Sequence, residues 1–329
     1  MLGTMAFGVI AFILTAYVLL DGYDLGIAAI APLIARGDRE RAAAMAAIGP
    51  FWNGNEVWLI AGGGALFALF PAVYASSFSG FYLPFMVVLW MLMFRGIALE
   101  LRDRLDSHLW RQFWDAAFWL SSLLLVVLFG VALGNLVRGL PLDARGYFTG
   151  TFAFLLNPYA LFVAVFAVAA LALHGAAFAR LRIEGAPAER ALALAGRLWW
   201  LVLALYVGTS AATIAVRGTP PAVWLYVVPA MSLASLIALR VALVRRRNGV
   251  AFTASSLFLA SLLLETAGTL YPYLLPAYPP GHGGVSIADA SPSPLALTVG
   301  LSVSIGGIVA VLIYASAVWR ILAAKISVE

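Results

Sequence analysis

Four ionisable side chains interrupt long apolar stretches of this 329-residue chain. Asp21 and Asp24 lie in Leu20-Asp21-Gly22-Tyr23-Asp24-Leu25-Gly26, Glu56 follows Trp52-Asn53-Gly54-Asn55, and Arg95 follows Phe94. Carboxylates three residues apart share one helical face, with Tyr17 one turn back on the same side. Inside a membrane two such groups compete for ionisation, so one can hold a proton. The arrangement suits a proton relay, and equally a hydrogen-bonded packing site whose glycines admit a neighbouring helix. Glu56 lies about five residues, roughly 8 Å, inside its helix end, and Arg95 about 10 Å inside the same face. Matching depths let them pair, with Asp24 deeper, near mid-bilayer. Desolvation consumes much of the Coulomb gain of such a pair, so it is weak grounds for stability. A proton route and a structural ion-pair cluster both stay open.

Little else in the chain offers chemistry. Glu265 precedes Thr269-Leu270-Tyr271-Pro272, and its partner cannot be named from sequence. Glu100 joins Trp52 and Trp58 as a structural or interface residue. His174 sits in an apolar stretch, where a lone histidine is more often hydrogen-bonded to a neighbouring helix than a haem ligand. His108 and His282 fall in loops. Three histidines so placed cannot supply paired axial ligands for several haems or a histidine-rich copper site. The chain has no cysteine, which removes disulfides and thiolate chemistry. Gly62-Gly63-Gly64 lacks the strand and the Lys-Ser/Thr of a phosphate loop. No metal-ligand spacing and no nucleophile–base set is present.

The elements that must position these residues are membrane helices. Hydrophobic residues make up 64% of the chain and charged residues 11%, with a mean hydropathy of +0.99. So few charges cannot build a water-facing surface. Nine segments reach the roughly 20 apolar residues that a crossing helix needs: 5–34, 52–73, 79–101, 114–137, 155–179, 195–216, 222–244, 251–274 and 295–319. Breaks fall at Arg36–Pro50, Leu140–Gly146, Arg182–Arg190, Pro220–Pro221 and Pro276–Pro294, and a tight join is expected at Ala75–Ser77. The first segment lacks a basic leader, since the first Lys or Arg is Arg36, and is read as a retained span. Fifteen of the twenty Lys and Arg residues gather on one side, including Arg36, Arg102, Arg182 and Arg245–Arg247. Only Arg138, Arg145 and Arg217 fall in loops on the other. The positive-inside rule then puts the N-terminus outside and the C-terminus in the cytoplasm. Basic residues scattered over several loops also argue against nucleic acid as the partner of a chain with net charge +5. Trp110, Trp114, Trp119, Trp199, Trp200 and Trp319 near span ends read as interface anchors. The expected fold is all-α and polytopic, one transmembrane domain over 1–329.

In order and spacing, seven stretches resemble subunit II of the cytochrome bd-type quinol oxidases. They are Asp21-Gly22-Tyr23-Asp24-Leu25-Gly26, Pro50 to Leu59 (through Trp52-Asn53-Gly54-Asn55-Glu56), Gly62 to Pro71, Phe78 to Tyr82, Phe94-Arg95, Gly134-Asn135 with Gly139-Leu140-Pro141, and Leu156-Asn157-Pro158. The likeness covers about the first 175 residues closely and continues in span pattern and in Tyr271-Pro272-Tyr273. It implies two four-helix bundles plus one peripheral helix, with a motif-rich first bundle over 1–138 and a second over 155–322. It also implies a haem-bearing subunit I as partner, carrying haem b, haem d and the quinol site. This chain itself would ligate no cofactor, though bound quinone or lipid and small accessory subunits are compatible with it. The complex would lie in the bacterial cytoplasmic membrane, reducing oxygen to water with protons from the cytoplasm. Many relatives carry an acid where this chain has Asn53, and an amide cannot exchange a proton as a carboxylate does. Either Glu56, one turn on, takes over that role, with Arg95, Asp24 and Asp21 in support, or the route through this subunit is weakened or absent; the first is the expectation. Two other readings are a secondary transporter with Asp21 and Asp24 as its coupling-ion site, and a purely structural membrane subunit.

Overall fold

The computed structural model describes residues 1–218, 221, 223–279, 283–322 and 324–327; His282, and Pro220 of the expected sixth-to-seventh join, lie outside them. Where water is absent, backbone N–H and C=O groups must be satisfied within the segment, and helices result. In chain order they are α1 (Leu2–Ile34), α2 (Asp38–Ile48), α3 (Trp52–Leu69), α4 (Pro71–Gly80), α5 (Tyr82–Leu101), α6 (His108–Arg138), α7 (Phe152–Leu155), α8 (Pro158–Arg182) and α9 (Ala186–Arg217). A π-helical turn, Val223–Val227, leads into α10 (Val228–Val244), followed by α11 (Asn248–Leu270), β1 (Tyr273–Pro276), β2 (Gly284–Ser286), α12 (Ile287–Ala290) and α13 (Pro294–Leu322). Seven of these, α1, α5, α6, α8, α9, α11 and α13, are long and apolar enough to cross a membrane. The stretches read as the second and seventh spans hold α3, of 18 residues, and α10, of 17.

Several boundaries differ from the sequence expectation, each for a local reason. The second segment ends at Leu69, because Pro71 has no amide to continue the ladder and instead opens α4. The tight join expected at Ala75–Ser77 therefore lies inside a helix. Asn157 accepts a hydrogen bond from the Ala160 amide at 3.0 Å, so α8 starts at Pro158 and Phe152–Leu155 forms a separate turn. Pro272 follows the end of α11, and the chain beyond it pairs as a two-stranded antiparallel hairpin, a departure from an all-α fold.

The first helix is the hub: α1 packs against α3, α6, α8, α11 and α13. Lipid supplies no hydrophobic drive for this, so close backbone approach and dispersion carry it. At the α1–α8 crossing, a Cβ on Gly26 would overlap the Leu171 carbonyl and the Gly175 backbone, and a Cβ on Gly175 would overlap Gly26. Gly130 and Gly134 of α6 meet Ala164 and Ala160 of α8 in the same way.

Ion pairs gather the arginine-rich helix ends on one face. Arg102 bonds Asp115 and Asp38 at 2.6 Å each, Arg190 bonds Glu40, Arg246 bonds Glu189, and Lys325 lies 3.2 Å from Glu184. Arg182 of α8 donates to the Leu322 and Ala324 carbonyls, clasping the end of α13.

Replacing Gly26 with Ala should cost about 1–3 kcal/mol, read as lost folded protein in thermal titration, whereas Gly8→Ala, with open space around it, should be silent. A second outcome concerns α2. The Arg190 side chain and the Arg36 amide hold the Glu40 carboxyl below the usual carboxylate range. A depressed acid contributes stability that is present above its unfolded pKa, near 4.3, and is lost as pH falls through the lower folded value. Hydrogen exchange of α2 amides should accelerate below about pH 4, and Glu40→Gln should remove that acid-specific step.

Candidate functional site

α1 presents Asp21 and Asp24, α3 presents Asn55 and Glu56, and α5 presents Arg95 to a common centre. The Arg95 guanidinium grips Asp21 with both terminal nitrogens: Nη1 donates to Oδ2 at 2.7 Å, and Nη2 donates to Oδ1. This fork-on-fork geometry is the strong form of the interaction. Both residues are fully buried. Nη2 also lies 3.5 Å from Glu56 Oε2, whose side chain is 19% exposed and leads out of the cluster. Asp24, one turn from Asp21, is held differently: Asn55 Nδ2 donates to its Oδ2 at 2.8 Å and to the Tyr23 hydroxyl at 2.7 Å. Asp24 Oδ1, Glu56 Oε2, the Tyr17 hydroxyl and Arg95 Nε are buried atoms without a hydrogen-bond partner. Buried polar atoms left open in this way need a water, an ion or a proton to satisfy them.

The sequence reading pairs Arg95 with Glu56, and the structure keeps that pair at 3.5 Å while adding a tighter one. Asp21, given there as support, is the principal partner of Arg95; Glu56 is the secondary one, and Asp24 is not bonded to Arg95. The sequence reading points to Asn53, whereas the residue that joins the cluster is Asn55. The structure leaves Asn53 exposed and outside the cluster. The signal was available in the helical period, because Asn55, Trp58, Gly62, Ala65 and Leu69 form the buried stripe of α3. Asn53 falls on the opposite face with Val57, Ile60 and Phe67.

The remaining candidates are dispersed. Trp52 packs on Gly96, and Trp58 is buried edge-on to Phe12 at 6.2 Å. Glu100 is exposed. His174 is buried with both ring nitrogens engaged, Nδ1 with Ser255 Oγ at 2.8 Å and Nε2 with the Leu19 carbonyl at 3.0 Å. It has no free nitrogen to offer an iron, and its ring stacks on Phe252. Glu265, whose partner sequence could not name, accepts from Tyr206 and Ser232 on α9 and α10. Among the described residues no group of three or more His, Asp or Glu is arranged to hold a metal ion.

Breaking a buried ion pair by removing one partner strands the other charge, at about 3–5 kcal/mol. Arg95→Gln should therefore cause severe loss of folded protein. Arg95→Gln with Asp21→Asn should recover much of it, and Arg95→Lys, which cannot reproduce the fork, should fall between them in thermal stability.

The fold and the sequence both have known counterparts. Residues 2–322 match the family described as cytochrome bd terminal oxidase subunit II. The "Cytochrome bd-I ubiquinol oxidase subunit 2" of Escherichia coli K12 is 31% identical, over 93% of this chain and 90% of the relative. The "Probable cytochrome oxidase subunit 2" of Haemophilus influenzae is 30% identical, over 92% and 89%. The structure of bd oxidase from Geobacillus thermodenitrificans superposes with a TM-score of 0.81 at 20% identity, covering 97% of this chain and 98% of that one, a likeness of fold. With a family match along nearly its whole length and relatives that align end to end, this multi-pass chain belongs to the cytochrome bd terminal oxidase subunit II family and is a subunit of a terminal oxidase.

Proposed function

We propose that this chain is the haem-free second subunit of a quinol:O2 oxidoreductase, packed against a haem-bearing subunit I and lending it part of a proton route. Family membership supports the assembly, and the ubiquinol oxidase activity for which the Escherichia coli relative is named supports quinol as the reductant. One observation carries the proton route: three carboxylates, Asp21, Asp24 and Glu56, gather where the described residues supply one guanidinium, Arg95, bonded to Asp21 and close to Glu56 but not to Asp24, so the fully ionised cluster would hold two uncompensated negative charges. Uncompensated charge at lipid depth costs several kcal/mol per ion, and binding protons relieves it. Glu56 is the partly exposed member, so it is the acid through which protons enter and leave. Arg95 orients it, and Asp21 and Asp24 extend the series inward.

In this reading nine crossings, counting α3 and α10, place the N-terminus outside and the arginine-rich end in the cytoplasm, the source of the protons. The chain is one transmembrane domain in the bacterial cytoplasmic membrane, with helical bundles over 1–138 and 155–322. Against the transporter reading stands the Arg95 fork, which occupies both oxygens of Asp21 and leaves only Asp24 Oδ1 open to a coupling ion.

The test is Glu56→Gln in the assembled oxidase, purified with its haems. Quinol-driven oxygen reduction and proton uptake should fall by roughly tenfold or more, as for removal of a proton-transfer group, while Asn53→Ala leaves both unchanged. Unaltered turnover and charge separation in Glu56→Gln would leave the cluster a device for fixing helix register.

A further inference from the structure

A second buried polar cluster lies in the other half of the chain, with no cation in it among the described residues. Glu265 sits on α11, five residues before Leu270. Its Oε1 accepts from the Tyr206 hydroxyl of α9 at 3.0 Å and from the Ser232 hydroxyl of α10. Ser232 Oγ also meets Ser261 Oγ at 2.9 Å. α8 contributes Phe166, whose ring lies against that of Tyr206. Among the described residues no Lys or Arg pairs with Glu265. The cation that approaches this part of α11 is Arg217, which donates to the Thr269 carbonyl at 3.3 Å, one turn further on. A carboxylate held at this depth by hydroxyls alone lacks a counter-charge, and a bound proton supplies one.

The surroundings of Glu265 also offer a way out for that proton. Tyr206, Thr209, Thr213 and Arg217 recur along α9 at helical spacing and share one face, ending at the arginine-poor end of the bundle. Thr213 Oγ1 and the Tyr159 hydroxyl of α8 are 2.7 Å apart. Thr209 Oγ1, between Tyr206 and Thr213, is buried without a partner and is free both to donate and to accept. Tyr206, Tyr159, Arg217 and, from β1, Tyr273 are the titratable and charged groups facing this path from the elements packed on α11 and α9.

We propose that Glu265, with Tyr206, Ser232 and Ser261, forms a second protonation site, separate from the Arg95 cluster, that exchanges its proton with the arginine-poor end of the bundle along the hydroxyl-bearing face of α9. The two sites lie on different helices and open toward opposite ends, so this one does not depend on the role given to Glu56.

Infrared spectroscopy of the whole oxidase, in H2O and then D2O, tests the assignment. A protonated-carboxyl stretching band that shifts on deuteration should disappear in Glu265→Gln and persist, displaced, in Glu265→Asp, which also serves if the Gln variant fails to assemble. Glu56→Gln should leave that band intact, and Thr209→Val should slow its deuteration several-fold. If Glu265→Gln removes no protonated-carboxyl band, or removes an ionised-carboxylate band that responds to exchanging Na+ for Li+, the proposal falls, in the second case to a metal-cation site.

Discussion

A guanidinium stays at lipid depth only while a carboxylate answers it, and the Arg95–Asp21 fork imposes that condition on the relative placement of α1 and α5. The fork has one productive orientation, so it sets the rotation of α5 about its axis as well as its depth. Glu56 brings α3 to the same point, and Asn55 locks α3 to the adjacent turn of α1. The far side of that part of α1 is closed by α8, where Gly26 and Gly175 leave no room for a side chain. Asp21 and Asp24 thus lie between a backbone contact on one side and a polar cluster on the other, and neither can turn away without loss of the other contact.

The two intramembrane acid clusters solve one electrostatic problem in different ways. Around Asp21 a permanent cation is present and carboxylates outnumber it. Around Glu265 the carboxylate is alone, and neutral hydroxyls donate to it. Hydroxyl donors stabilise a carboxyl group in either state more evenly than a guanidinium does, because they carry no net charge. The first arrangement fixes geometry strongly, and the second leaves the acid responsive to its surroundings.

Depth was legible in the sequence, and azimuth was not. Segment lengths and the one-sided distribution of Arg placed Asp21, Asp24, Glu56 and Arg95 within reach of one another. Which carboxylate meets Arg95, however, depends on how α1 and α5 are rotated, and one residue turns a helical position by 100°. Asn55 could have been found from the buried stripe of α3, yet Asn53 drew attention because it departs from a family pattern. Tyr206 and Ser232 carry no sequence sign of facing Glu265, since hydroxyls are common in such helices and usually bond back to their own carbonyls. The break at Phe70–Pro71 was hidden by an apolar run that continues through it, and the hairpin after Pro272 falls largely in the Pro/Gly/Ser-rich stretch Pro276–Pro294, whose composition carries no strand period.

The fork joins residues 74 positions apart, and this separation bears on how the chain is made. At ribosomal speeds of about 5–20 residues per second, Asp21 leaves the tunnel several seconds before Arg95 does. Until its counterion emerges, α1 must therefore hold Asp21 protonated, or stay in a partly aqueous setting beside the insertion machinery. Asn55 arrives in the interval and gives Asp24 a partner first. The hub of the finished bundle is thus the segment that commits to lipid last in energetic terms, although it is the first to be synthesised.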